Sequence, residues 1–193
     1  MIRVAMFLLM TPLFMMSCAQ IETHEPTPED FQVGEKWVWH WSRTVDGEIR
    51  AEGDDLQEVV IYNGVRSFWN GMDTTEISKI VNQPDDDTPF RDWPLYIGKT
   101  WTFESEWEND EGTSGKTSQE VEVVAFEEVE VAAGKFMAYK IEQKGTVTNS
   151  RGFNGEMTDI WWYAPDLKFY VKHVNSDGYG MYVNELTEYF EGT

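Results

Sequence analysis

Few side chains of this sequence have the types and spacing that chemistry requires. The chain has three histidines, His24, His40 and His173, and a single cysteine, Cys18. It contains no G-x-S-x-G nucleophile elbow, no H-E-x-x-H zinc motif and no glycine-rich phosphate loop. Histidines this sparse do not favour a histidine-rich metal site. The sequence therefore predicts no catalytic residue, no metal and no cofactor, and an enzyme is the least favoured class.

Carboxylates are abundant but form no recognisable site. There are 35 Asp and Glu against 15 Lys and Arg, for a net charge of −20, so no single pair of glycosidase type stands out. A calcium loop fails as well, because Gly112 and Gly178, as its central glycine, would put Trp107 and His173 at the first ligand position. A surface this negative repels nucleic acid and anionic headgroups, which excludes a nucleic-acid partner.

Aromatic side chains are the remaining chemical signal, with nine Trp, eight Tyr and eleven Phe. They could line a cavity for an apolar ligand, because small-molecule sites are mostly apolar, or they could fill a core. We favour the core for Trp37, Trp39, Trp101 and Trp161. The candidate ligand or core aromatics are Trp37, Trp39, Trp41, Trp101, Trp161, Trp162 and Tyr163.

The residues around these aromatics alternate between apolar and polar with a period of two, which is typical of β-strands. Trp37, Trp39 and Trp41 point to one side of a strand, whereas Val38 and His40 point to the other. No segment has a helical apolar period, and glycine-containing turn signals separate the runs. The pattern predicts about ten strands, near 36–44, 55–62, 65–71, 74–82, 99–108, 117–130, 136–148, 156–164, 167–175 and 179–190.

Regular spacing of strands and turns predicts an all-β fold. We expect an antiparallel meander curled into an open barrel or half-barrel, with a β-sandwich as the alternative. Trp161 and Trp162 are neighbours on one strand, so they must face opposite sides of the sheet.

A weak two-fold repeat is visible within this pattern. Residues 31–39 align with 95–103, and Gly34 and Gly98 are 64 positions apart. Gln57-Glu58-Val59 recurs at 119–121, which we attribute to a two-residue difference in loop length. The repeat predicts a single β domain over 31–193, built from a first module at 31–92 and a second at 93–193.

Four segments of the second half carry motifs: PLYIGKTW at 94–101, VEVAAGKFMAYKI at 129–141, WYAP at 162–165 and VK at 171–172. They resemble a group of exported bacterial β-proteins whose activity is uncharacterised. The resemblance implies an antiparallel, open-barrel fold and no particular activity. Ala132 replaces a common proline of that group, and Asp166-Leu167-Lys168 replaces its glycine-x-glycine, which predicts a different hairpin there.

The first residues form a typical export signal. Arg3 precedes an apolar run over 4–14, too short to span a bilayer as a helix. The following Met15-Met16-Ser17-Cys18 resembles the lipobox of bacterial lipoproteins, which implies cleavage after residue 17 and fatty acylation, including palmitate, at Cys18. The alternative is cleavage after Ala19, which would release a soluble periplasmic protein.

The signal and the composition predict a location and a function. Residues 18–30 are acidic and proline-containing, so we expect a flexible tether between the lipid and the domain. In lipoproteins of the kind that the lipobox resembles, an aspartate after the cysteine is associated with inner-membrane retention, so the resemblance implies the outer membrane for a chain with Ala19 there. The first hypothesis is a non-enzymatic, lipid-anchored envelope protein that binds an apolar ligand or a partner protein. The alternatives are an interaction module without a ligand and an enzyme acting on envelope polymers. A concave opening above about 300 Å³ would favour ligand binding.

Overall fold

The fold is all-β, as predicted. The computed structural model describes residues 22–81 and 87–193, so the predicted signal at 1–17 and Cys18 lie outside the described residues. The strands are β1 (Lys36–Val45), β2 (Glu48–Tyr62), β3 (Val65–Trp69), β4 (Thr74–Glu76), β5 (Thr100–Glu108), β6 (Ser114–Val131), β7 (Gly134–Asn149), β8 (Asn154–Ala164), β9 (Phe169–Ser176) and β10 (Met181–Phe190).

All ten strands belong to one antiparallel sheet. Their order is β4-β3-β2-β1-β10-β9-β8-β7-β6-β5. The first and last strands of the sheet domain, β1 and β10, therefore pair in its interior, while β4 and β5 are its two edges. The sheet is not closed, which confirms the open-barrel prediction. The sandwich alternative is wrong because it needs two sheets.

The helical content of residues 22–81 and 87–193 is limited to short 3-10 turns. They lie at Pro28–Asp30, Ile77–Lys79 and Pro165–Leu167. Helices of one turn cannot cross a bilayer, and no membrane-spanning helix is found in this part of the chain.

Two strand boundaries differ from the prediction. β2 begins at Glu48 rather than near 55, because Asp46 and Gly47 both adopt positive φ and close a tight hairpin directly after β1. β4 stops at Glu76 rather than near 82, because a 3-10 turn follows at Ile77–Lys79 and buries Ile77. Both differences arise from local turns that the alternation of apolar and polar residues does not reveal.

The turns before β1 and β5 are equivalent. Gly34 and Gly98 have φ of 84° and 85°. Gly34 N donates to Val59 O, and Gly98 N donates to Val123 O, both at 2.8 Å. Since Val59 and Val123 are also 64 apart, the offset stays constant across both hairpins. The prediction that the loops of the two modules differ in length by two residues is therefore wrong for these hairpins.

The hairpin between β8 and β9 shows how the chain accommodates its non-glycine sequence. After the 3-10 turn, Lys168 adopts the left-handed region with φ of 60°. Its Nζ donates to Glu35 Oε1 at 2.6 Å, and Glu35 is 1% exposed. The ion pair joins this hairpin to the turn before β1, at a position where glycine would make no such contact.

The segment expected to be a flexible tether is docked where the structure describes it. Thr23 pairs with Leu95 through two backbone hydrogen bonds of 2.9 and 2.8 Å, and Leu95 is fully buried. Thr27 and Asp30 then cap the first 3-10 turn. Residues 22–30 therefore lie against the domain, and the tether prediction can apply only to residues before them.

Candidate functional site

A row of polar side chains lies on the inner face of the curved sheet. On β8, Asp159 and Trp161 share one face because residues two apart in a strand point the same way. Asp159 lies opposite Gln143 of β7 and Asn175 of β9, while Trp161 lies opposite His173 of β9. Strand register therefore brings together side chains from three neighbouring strands.

Asp159 is the centre of this row. Its Oδ1 accepts hydrogen bonds from His173 Nε2 at 2.8 Å and from Asn175 Nδ2 at 2.9 Å. Its Oδ2 accepts a hydrogen bond from Gln119 Nε2 of β6 at 2.7 Å. The Asp159 side chain is only 5% exposed, and a buried carboxylate is tolerated only when it is hydrogen-bonded or paired. The three donors meet that requirement and hold the carboxylate in one orientation.

Aromatic rings fix the imidazole beside it. The rings of His173 and Trp161 are parallel within 6°, with centroids 3.4 Å apart. Trp161 Nε1 donates to Gln143 Oε1 at 3.3 Å, and the Phe90 ring meets the Trp161 ring edge-on at 5.3 Å. Stacking and hydrogen bonding thus leave these groups little freedom to rotate.

These residues line a concave opening that we call the inner cavity. Its volume is about 440 Å³, within the range of small-molecule sites. Gln119, Gln143, Asp159 and Trp161 line it on one side. At its rim, Arg43 Nη2 lies 3.6 Å from an Asp177 carboxylate oxygen. The inner cavity combines aromatic rings with buried polar groups, whereas sequence reasoning named only aromatic residues as candidates for a mostly apolar site.

A wider hollow lies beyond Phe90. Its volume is about 920 Å³, and Phe31, Phe68 and Phe169 contribute apolar wall. Phe90 borders this hollow as well as the inner cavity. The wall extends to Val81, the last described residue before the gap at 82–86. Most of the lining residues of the inner cavity lie on strands, whereas the hollow is lined mainly by loop residues.

The seven aromatics predicted as ligand or core residues divide among three environments. Trp37, Trp39 and Tyr163 are at most 2% exposed and belong to the core, the two tryptophans to one cluster and Tyr163 to another. Trp101 packs on a second core cluster, and its Nε1 donates to Pro89 O at 3.0 Å. Of the seven, Trp161 is the one that lines the inner cavity.

Trp41 and Trp162 lie elsewhere on the sheet. Trp41 stacks on Tyr182, with ring centroids 6.0 Å apart. Trp162 faces away from Trp161, as the alternation requires, and its Nε1 donates to Glu127 Oε1 at 3.0 Å. Lys140 and Lys172 lie 5.8 and 5.6 Å from the Trp162 ring centroid, so cationic side chains cover this tryptophan.

Sequence reasoning missed the polar members of the site. Gln119, Gln143 and Asp159 are among the most buried polar residues of the described chain. Asp159 occupies the inward position two residues before Trp161, and that spacing was the available signal. The two strand histidines differ in setting, because His40 pairs with Asp54 at the surface whereas His173 pairs with Asp159 inside. No cluster suited to a metal ion is found among residues 22–81 and 87–193.

Two tyrosines, one on β8 and one on β9, give a test of burial. Loss of hydration raises the pKa of Tyr163 and of Tyr170 to about 12. Because an exposed tyrosine has a pKa of about 10, the folded state holds these protons more tightly than the unfolded chain. The resulting stabilisation is fully present below about pH 10 and is lost as pH rises towards 12. Ultraviolet titration should show at least three late-ionising tyrosines, because burial raises the pKa of Tyr189 as well as those of Tyr163 and Tyr170. Ionisation of every tyrosine near pH 10 in the folded protein would contradict this.

Comparison with known proteins adds distant similarities only. No protein-family model matches the chain, and no curated protein matches it. An inferred exported protein with a YmcC-like fold from Bacteroides fragilis is 13% identical, with 89% of this chain and 100% of that chain covered and a TM-score of 0.39. An inferred lipoprotein from Parabacteroides distasonis is 10% identical, with 83% and 97% covered and a TM-score of 0.48. Likenesses of this size indicate no function for the chain.

Proposed function

We propose that this chain is a non-enzymatic, lipid-anchored protein of the bacterial envelope that binds a small ligand in the inner cavity. The observation that supports it best is the burial of Gln119, Gln143 and Asp159, each at most 4% exposed, in the wall of an open cavity. A sheet needs no such polar groups for stability, since apolar side chains would fill the same space at lower free energy. Polar groups that converge on a cavity are typical of ligand sites.

The arrangement favours binding over catalysis. A glycosidase needs two carboxylates that flank one bond, one of them able to donate a proton. In the described part of the chain, the inner cavity has Asp159 within its wall and Asp177 at its rim. Asp177 Oδ1 accepts hydrogen bonds from the backbone N–H groups of Tyr179 and Gly180, so the two carboxylates have separate structural partners.

The anchor would hold the domain close to the membrane. Acylation at Cys18 and the pairing of Thr23 with Leu95 leave residues 18–22 as the connection. Five residues reach on the order of 17 Å when fully extended. The proposal therefore places the acidic domain next to the bilayer. The outer membrane is the proposed location, because Ala19 follows the cysteine.

Native mass spectrometry tests the binding function. We expect full-length protein, extracted from its own membranes in mild detergent, to carry a bound small molecule. Gln119→Leu should lose that molecule, because it removes a polar group from the cavity wall. Gln57→Leu is the matched control, since Gln57 lies on β2 opposite Trp37 and away from the cavity. A ligand-free wild type, or equal occupancy in both variants, would refute the proposal.

The anchor is tested by Cys18→Ser. The substitution removes the thiol that accepts the lipid but leaves the described domain unchanged. We expect the protein to move from the membrane fraction to the soluble fraction with the same circular-dichroism spectrum, because several acyl chains are needed for stable anchoring. If the variant still sediments with membranes, the anchor is not at Cys18.

A further inference from the structure

The hydrogen bonds to Asp159 determine what the cavity wall offers to a ligand. Gln119 and Asn175 each turn their amide NH₂ group towards the carboxylate. Their carbonyl oxygens are then the free ends of these side chains. An ionised carboxylate only accepts, so His173 must carry its proton on Nε2, and in the neutral ring Nδ1 is then an acceptor as well. One buried carboxylate thereby orients three acceptor atoms.

These three acceptor atoms have no hydrogen-bond partner in the described protein, and they are accessible rather than fully buried. Gln119 Oε1, Asn175 Oδ1 and His173 Nδ1 accept no hydrogen bond from residues 22–81 or 87–193. The sealed, unpartnered side-chain atoms of the described chain are Trp37 Nε1, Thr113 Oγ1 and Asn184 Oδ1, which do not include these three. Gln119 is nonetheless 2% exposed as a residue and lines the inner cavity. Its free carbonyl oxygen therefore opens into the cavity.

The lining of the inner cavity has more negative than positive side chains. Arg43 is the cation among the lining residues of the inner cavity, against the carboxylates of Asp159 and Asp177. Arg43 is close to Asp177, so Asp159 has hydrogen-bond donors but no formal countercharge when His173 is neutral. The net charge of −20 adds a negative field around the cavity. Both terms favour a cationic ligand and oppose an anionic one.

Aromatic rings complete the wall. Phe90, Phe103, Trp161 and Tyr182 line the same cavity, and rings of this kind attract cations and bury apolar groups. The amide nitrogen of Gln143 is a free donor in the wall, because its oxygen already accepts from Trp161. It could engage a single acceptor on the ligand. The oxygens of Gln119 and Asn175 and His173 Nδ1 call for donors, whereas the hydroxyls of Ser105, Thr117 and Tyr182 in the same wall can donate or accept.

We infer that the inner cavity takes a small organic cation, in the form of a primary ammonium group on a compact apolar body. The ammonium donates to the acceptor atoms held by Asp159, supplies the missing positive charge, and places its apolar body against the rings. This inference rests on the proposed binding function and specifies the class of ligand for the same cavity.

Four probes of one shape separate charge from hydrogen bonding. Benzylamine is a cation with N–H donors, benzyltrimethylammonium is a cation without them, benzyl alcohol is neutral, and benzoate is an anion. Isothermal titration of the detergent-extracted, full-length protein, first dialysed until native mass spectrometry shows no co-purified molecule, should give benzylamine the highest affinity. We expect at least tenfold over benzyl alcohol, an intermediate value for benzyltrimethylammonium, and no binding of benzoate.

Two variants assign the binding to the cavity. Gln119→Leu should weaken benzylamine at least fivefold, and Gln57→Leu should leave it unchanged. Equal affinity for benzylamine and benzyl alcohol, or binding of benzoate, would overturn the cation inference while the binding function stood. Failure of all four probes would also overturn the inference. The binding function would fail separately, by the absence of a co-purifying molecule.

Discussion

Replacing Lys168 by methionine is expected to lower the free energy of unfolding by about 3–5 kcal/mol. The change removes the charge that faces Glu35, whose carboxylate is 1% exposed and lies 2.6 Å from Lys168 Nζ. Methionine keeps the length of the apolar stem and has the same Cβ at the left-handed backbone position. The predicted loss therefore comes from leaving a buried carboxylate without its cation.

Other groups around Glu35 cannot replace the lysine. Tyr189 donates its hydroxyl proton to Glu35 Oε1 at 2.7 Å, and Gln32 N donates to Oε2 at 3.1 Å. Burial is the larger cause that raises the pKa of Tyr189, and its hydrogen bond to Glu35 is the second. This hydroxyl is therefore neutral at physiological pH and supplies no charge to Glu35. The carboxylate would retain hydrogen bonds but no countercharge.

Urea unfolding followed by tryptophan fluorescence measures this loss. Lys135→Met is the matched control, because Lys135 also pairs with carboxylates, those of Glu128 and Glu130, but is 57% exposed. Exposed pairs contribute about 0–1 kcal/mol, so the control should remain close to wild type. Equal effects of the two substitutions would show that Glu35 is not buried as described.

Replacing Asp159 by leucine is expected to lower the free energy of unfolding by about 3 kcal/mol. The substitution leaves three donors, on Gln119, His173 and Asn175, without their acceptor. A buried donor left unpaired costs about 1–3 kcal/mol, and water in the inner cavity recovers part of that. Ligand binding should be lost in the same variant, because nothing then orients the acceptor atoms of the wall.

The exposed pair of His40 and Asp54 is a close control. Its Nδ1–Oδ1 distance is 2.8 Å, the same as the Nε2–Oδ1 distance between His173 and Asp159. The Asp54 side chain is 71% exposed, however, against 5% for Asp159. We expect Asp54→Leu to change stability by no more than about 0.5 kcal/mol. If the two substitutions had equal effects, the inner network would not be a buried one.

Sequence reasoning predicted the strands but not that the first strand, β1, pairs with the last, β10. Alternation of apolar and polar residues is local, and it identified all ten strands, including the side of the sheet that each tryptophan of β1 faces. Pairing of β1 with β10 joins residues such as Trp39 and Leu186. Contacts this distant in sequence depend on how the whole sheet curls, which a periodicity does not contain.

The candidate site was predicted less well than the fold, for a related reason. Aromatic residues were selected by type, and most of them fill the core. Gln119 and Asp159 come from β6 and β8, with β7 between them in the sheet, so their hydrogen bond joins two strands that do not pair directly. The spacing of Asp159 two residues before Trp161 places both on one face of β8, but in a sequence with 35 acidic residues it does not single out Asp159, and Gln119 has no comparable signal.

A crystal structure of the protein purified from its own membranes tests the central claim most directly. The account predicts electron density for a small molecule in the inner cavity, within hydrogen-bond distance of Gln119 Oε1 and in contact with Trp161. Ordered water alone in that cavity, or a ligand bound at another place on the domain, would contradict it.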